Sequence, residues 1–114
     1  MIARACPTDI DEALALTHDE DARVRRGALR RLCPCHVRAN YPPIWDRIIE
    51  MAEDPDARIR SHVLHLLCDG SPREREAEIV EVLVALQHDP DERLRRRVRG
   101  VLAQYRRTGR VNVL

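Results

Sequence analysis

The sequence predicts an all-α fold, an α-solenoid assembled from three helical hairpins. Three observations predict it. The heptapeptide Asp19-Glu20-Asp21-Ala22-Arg23-Val24-Arg25 recurs 35 residues later as Asp54-Pro55-Asp56-Ala57-Arg58-Ile59-Arg60. It recurs again, without a gap, as Asp89-Pro90-Asp91-Glu92-Arg93-Leu94-Arg95. A fixed period of this size marks a stacked repeat array. Every long segment also carries apolar residues at three- and four-residue steps, the spacing of a helix with one buried face. Finally, Asp, Pro and Gly fall where these segments meet, and no segment before the last few residues alternates as a strand does.

The elements follow in order. Segment 8–18 places Ile10, Ala13, Leu14 and Leu16 on one side. Segment 21–33 does so with Val24, Ala28, Leu29 and Leu32. In the second unit, 43–53 uses Trp45, Ile48, Ile49 and Met51, and 56–68 uses Ile59, Val63, Leu66 and Leu67. In the third, 72–88 uses Ile79, Leu83, Val84 and Leu86, and 91–107 uses Leu94, Val98, Val101, Leu102 and Tyr105. Asp-Pro-Asp at 54–56 and 89–91 ends one helix and caps the next, because Pro cannot continue a helix and Asp is a favoured N-cap. Ser71-Pro72-Arg73-Glu74 reads as a capping box, and Gly109 as a C-terminal cap. Trp45 aligns with Ile10 and Val80, which places it in the core. Six helices in three hairpins result, with units at about 1–35, 36–70 and 71–107 and a tail over 108–114. The 114 residues form one domain with one modest core.

Composition narrows the function. Charged residues make up 34% of the chain, yet the formal net charge is +1, so no global bias toward nucleic acid or membrane follows. All twenty basic residues are arginine and Phe is absent, a composition expected of a GC-rich bacterial genome. No apolar run approaches the roughly 18–20 residues of a membrane span. The first residues, Met1 to Pro7, lack the apolar core of a signal peptide. The expectation is a cytoplasmic protein whose cysteines, Cys6, Cys33, Cys35 and Cys68, stay reduced.

The pattern Asp-x-Asp-x-x-Val-Arg followed by an apolar helix, repeated from about Asp9 to Tyr105, resembles the short bacterial HEAT-like repeat. That family includes repeats similar to those of phycobilin lyases. The resemblance implies a right-handed superhelix whose second (B) helices line the concave side. Arg25, Arg60 and Arg95 fall among the apolar positions of their helices, and a buried guanidinium needs carboxylate partners. The turn aspartates Asp19, Asp54 and Asp89 are the natural candidates. The resemblance implies a ladder of such pairs along the stack, so these six residues are scaffold.

Three departures from the repeat remain. The first is Cys33-Pro34-Cys35-His36, in a segment that Tyr41-Pro42-Pro43 keeps irregular until about residue 43. Three soft or borderline ligands within four residues suit zinc or another thiophilic metal. By the period, Cys68 joins Cys33 at the same end of the B helices, Cys6 precedes a helix starting at that edge, and His65 is an extra donor. Cys33 and Cys68 also align with Ala103, and read equally as small helix-end residues. The second departure is His62 and His65, three residues apart on one helix, where the other units carry Gly27 and Arg30, then Arg97 and Gly100. The third is charge: residues 89–114 carry eight arginines against three acids.

The predicted concave stripe comprises Arg23, Arg26, Arg30, Arg58, His62, His65, Arg93 and Arg97. Repeat arrays bind more often than they catalyse, and no nucleophile–base pair or phosphate loop argues for an enzyme. The expected function is a small non-enzymatic adaptor that binds another protein, through an acidic segment, on the concave B-helix face. Alternatives are a metal- or thiol-dependent module on Cys33, Cys35, His36 and Cys68, and nucleic-acid binding by the third unit's arginines. A chromophore-lyase-like role follows from the resemblance alone. The last residues, Val111 to Leu114, either fold back over the third unit or pair with another copy, giving a monomer or a weak homodimer.

Overall fold

Each hairpin is set by its turn. In the computed structural model, which describes residues 7–33 and 41–112, the second Asp of every turn caps a B helix. The Asp21 carboxylate accepts the Arg23 N–H at 2.8 Å, Asp56 accepts Arg58 N–H at 2.7 Å, and Asp91 accepts Leu94 N–H at 2.9 Å. The first Asp closes the turn itself: Asp19, Asp54 and Asp89 accept the N–H groups of Asp21, Asp56 and Asp91. Each cap is worth roughly 1 kcal/mol. The motif recurs because every unit needs the same two bonds.

Six α-helices result among the described residues: α1 Pro7–Leu16, α2 Ala22–Arg31, α3 Pro42–Glu50, α4 Ala57–Leu67, α5 Glu76–Leu86 and α6 Glu92–Thr108. The fold is a small helical solenoid, as the period requires. α1 packs on α2, α3 on α4 and α5 on α6. Between units, α2 packs on α4 and α4 on α6, and on the other side Arg47 of α3 donates to the Thr17 hydroxyl and carbonyl at 2.9 Å while Arg75 pairs with Asp46 of α3. One core cluster runs from Ile10 to Val111. α4 lies at its centre, with Ile59, Val63, Leu64, Leu66 and Leu67 fully buried. Trp45 is in the core, as its alignment predicts. Val84, expected on the apolar face of its helix, is 46% exposed, because Ile79, Leu83 and Leu86 set the buried stripe and 84 lies beside it.

The Asp–Arg ladder is present, and it steps forward by one unit. Arg25 grips Asp54 with two bonds (Nε–Oδ2 2.9 Å, Nη2–Oδ1 3.1 Å), and Arg60 grips Asp89 the same way (2.7 and 3.0 Å). Each guanidinium turns its remaining nitrogen to the carbonyls of its own turn: Arg25 to Asp19 and Glu20, Arg60 to Asp54. Arg95 keeps the carbonyl bonds to Asp89 and Pro90 but makes no ion pair among the described residues. Among the described residues Asp19 likewise pairs with no arginine; its carboxylate closes its turn. The six scaffold residues therefore make two inter-unit bridges. Burial pushes the Asp89 carboxyl up, but the bonds from Arg60 and the Asp91 N–H, with the charges of Arg60 and Arg95, hold it below its ordinary value.

The expectation at Ser71 fails. No capping box forms at Ser71, and α5 begins through a short 3-10 turn, Arg73–Arg75, without a side-chain cap. The Ser71 hydroxyl donates to the Asn112 side-chain oxygen instead. That oxygen also takes the N–H groups of Gly70 and Ser71, and the Asn112 amide donates to the Ser71 carbonyl. Gly109 makes this reach feasible. It ends α6 in the left-handed region (φ 73°), as predicted, and turns the chain so that Val111 enters the core at 1% exposure. The tail thus folds back, latching the third unit to the turn before it; Val113 and Leu114 lie outside the described residues.

Candidate functional site

The B side carries the candidate site. Arg26 and Arg30 stand one turn apart on α2, so they share a face. Arg58, Ser61, His62 and His65 do the same on α4, and Arg97 comes from α6. These seven residues line one hollow of about 330 Å³. Six of the eight residues predicted for the concave face meet there. Arg23 and Arg93 do not line it; Arg23 lies over its own cap and pairs with Asp21 at 3.3 Å.

Ser61 was missed by the sequence reasoning. Its signal is in the period: it occupies the position of Arg26 and Arg96. A short side chain in the middle unit, where its neighbours carry arginine, opens the hollow. Arg97 reaches across and donates to the Ser61 hydroxyl at 2.8 Å. Gly27 and Gly100, at the repeat positions of His62 and His65, do not line it, and a Cβ on either would meet nothing within 4 Å.

The electrostatics are one-sided. No carboxylate lines the hollow. Arg26, Arg30 and Arg58 form no ion pair among the described residues, in contrast to Arg25, Arg47, Arg60, Arg75 and Arg96. The His62 and His65 rings stack at 6.1 Å. His65 faces Asp69, Nε2 to Oδ2 at 3.3 Å. The His62 Nε2 is buried and without a hydrogen-bond partner. Burial, then the positive surroundings of His65, Arg30 and Arg26, hold the His62 imidazole below its ordinary pKa, so it is neutral near pH 7.

The cysteine cluster is described only in part. Cys6, Cys35 and His36 lie outside the described residues. Cys33 is half-buried against the core, and Cys68 is fully buried within it. Burial pushes the Cys68 thiol up to about 12, against a small opposing effect of Arg97. Such a thiol is protonated and unreactive. Among the described residues, no three His, Cys, Asp or Glu side chains come together in a metal-binding group. No helix among them is long and apolar enough to cross a membrane.

Comparison with curated proteins gives no match, and neither does comparison with solved structures. A family model for HEAT repeats matches residues 10–103, from within α1 to within α6, which includes every residue lining the hollow. The chain belongs to the HEAT repeat family.

Proposed function

We propose that this chain is a small non-enzymatic adaptor of the cytoplasm that binds an acidic segment of a partner protein in the B-helix hollow. One observation carries the reading: guanidinium groups from the B helices of three successive hairpins surround a concavity lined by no carboxylate among the described residues. Clustered unpaired arginines on a concave surface are complementary to carboxylates on another molecule. HEAT repeats commonly mediate protein–protein contacts, which agrees. The third unit favours nucleic acid less than its composition implies. Arg96 is tied to Glu92, and Arg95 is turned to backbone carbonyls.

The test is binding of a fluorescent glutamate-rich peptide, followed by anisotropy. Arg26→Glu or Arg97→Glu is expected to weaken it at least tenfold. Arg23→Ala and Arg93→Ala, off the hollow, are expected to stay within twofold. Equal losses from both sets, or none from the first, would reject the hollow as the binding site.

A further inference from the structure

We infer that the hollow is built for a phosphoryl group, and that the partner segment it takes carries a phosphorylated side chain. This rests on the adaptor reading above and names its ligand chemistry. Four guanidiniums converge on one hollow of about 330 Å³: Arg26 and Arg30 from α2, Arg58 from α4 and Arg97 from α6. A carboxylate brings one charge and two oxygens. A phosphoryl group brings a charge of about −1.5 to −2 and three acceptor oxygens, and arginine is the side chain that meets it with paired donors.

Two further features fit. The Ser61 hydroxyl, held by Arg97, supplies a neutral polar group among the cations. His62 lines the same hollow with a buried ring nitrogen that has no partner among the described residues. An unmet hydrogen-bonding group of this kind costs stability until a ligand or water satisfies it.

The shape decides between a phosphorylated protein and a nucleic-acid backbone. A nucleic-acid track needs cations spaced along a groove and aromatic rings for bases. Here Arg23 and Arg93, which would extend the stripe to either side, do not line the hollow. Tyr41, the exposed aromatic among the described residues, is the residue before α3 and does not line the hollow. The arrangement is a point, and it suits a single compact dianion.

The probes are N-acetyl-phosphoserine amide and N-acetyl-glutamate amide, titrated at pH 7.5 while the His62 and His65 ring signals are followed by NMR. The phosphoserine derivative is expected to shift both rings and to bind at least fivefold tighter. Arg58→Ala, at an exposed position where the fold is not at risk, is expected to remove that advantage. Equal affinities would overturn the inference and leave the acidic-segment adaptor standing. Rings unmoved by either compound would overturn it too, and the peptide measurements above would then judge the adaptor separately. A 20-base-pair DNA that moves the same rings at lower concentration would overturn both readings.

Discussion

Arg60 and Arg95 occupy the same place in successive repeats, yet the structure assigns them different energies. Arg60 reaches Asp89 with two bonds of 2.7 and 3.0 Å, and the two side chains are 12% and 4% exposed. Arg60→Ala leaves that carboxylate buried with only the Asp91 N–H as donor. Breaking a buried pair by removing one partner costs about 3–5 kcal/mol, and the residual exposure of Arg60 places this case at about 3. Arg95→Ala removes the same side-chain stem but only the bonds to the Asp89 and Pro90 carbonyls, at a cost of about 1 kcal/mol. The expected difference of about 2 kcal/mol corresponds to roughly 8 °C in Tm for a chain of this size. Urea unfolding of both variants, followed by circular dichroism, measures it. Losses equal to within about 0.5 kcal/mol would show that the carboxylate bridge contributes nothing beyond the carbonyl bonds.

Two further outcomes follow from the B side. The folded His62 pKa is lowered, facing Arg26 and Arg30 of α2, Arg58 and His65 of α4, and Arg97 of α6. The unfolded chain therefore takes up a proton that the folded chain refuses, so stability is complete above pH 6.5 and falls as the pH drops below it. His62→Gln is expected to flatten the change in urea midpoint between pH 7.5 and 5.5; an unchanged slope contradicts the assignment. Gly100 lies inside α6 with open space around its Cα, so Gly100→Ala is expected to raise the unfolding free energy by about 1 kcal/mol. A loss of stability there would mean that something approaches this position closely.

The period makes the fold legible, because capping and core positions are local demands that each unit must meet afresh. Asp21, Asp56 and Asp91 act as the spacing predicts, and so do Trp45 and Gly109. The register of the ladder was not legible. Each arginine lies 6 residues after one turn aspartate and 29 before the next, and both pairings repeat every 35 residues. Only helix direction chooses, by placing the guanidinium over the following turn. The capping box failed for a related reason: Asn112, 41 residues away, outcompetes the local bond, and no window of sequence contains that contact. Of the site, the arginines and histidines were legible as departures from the repeat. Ser61 was not, since a short polar residue shows only through the space it leaves and the arginine that fills part of it.

If the hollow is a binding site, its charges should weaken the fold that carries them, and Arg58 is where this can be measured. Arg58 is the second residue of α4, exposed and without an ion pair, and it faces Arg26, Arg30 and Arg97 across the hollow. A cation in the first turn of a helix opposes the macrodipole, whereas an acid there gains about 0.3–1 kcal/mol. Arg58→Glu also relieves repulsion among the four arginines. It is expected to raise the unfolding free energy by about 0.5–1 kcal/mol while abolishing binding of the glutamate-rich peptide. Arg23 provides the control. It occupies the same helix position in α2, but it is paired with Asp21, so Arg23→Glu breaks a contact and sets two acids together. It is expected to gain nothing. Urea midpoints of the two variants decide the matter. A stabilised Arg58→Glu beside an unimproved Arg23→Glu marks Arg58 as a residue kept at the expense of the fold. The opposite order would mean that the hollow's charge is borne without strain, and the argument from unpaired arginines would lose its basis.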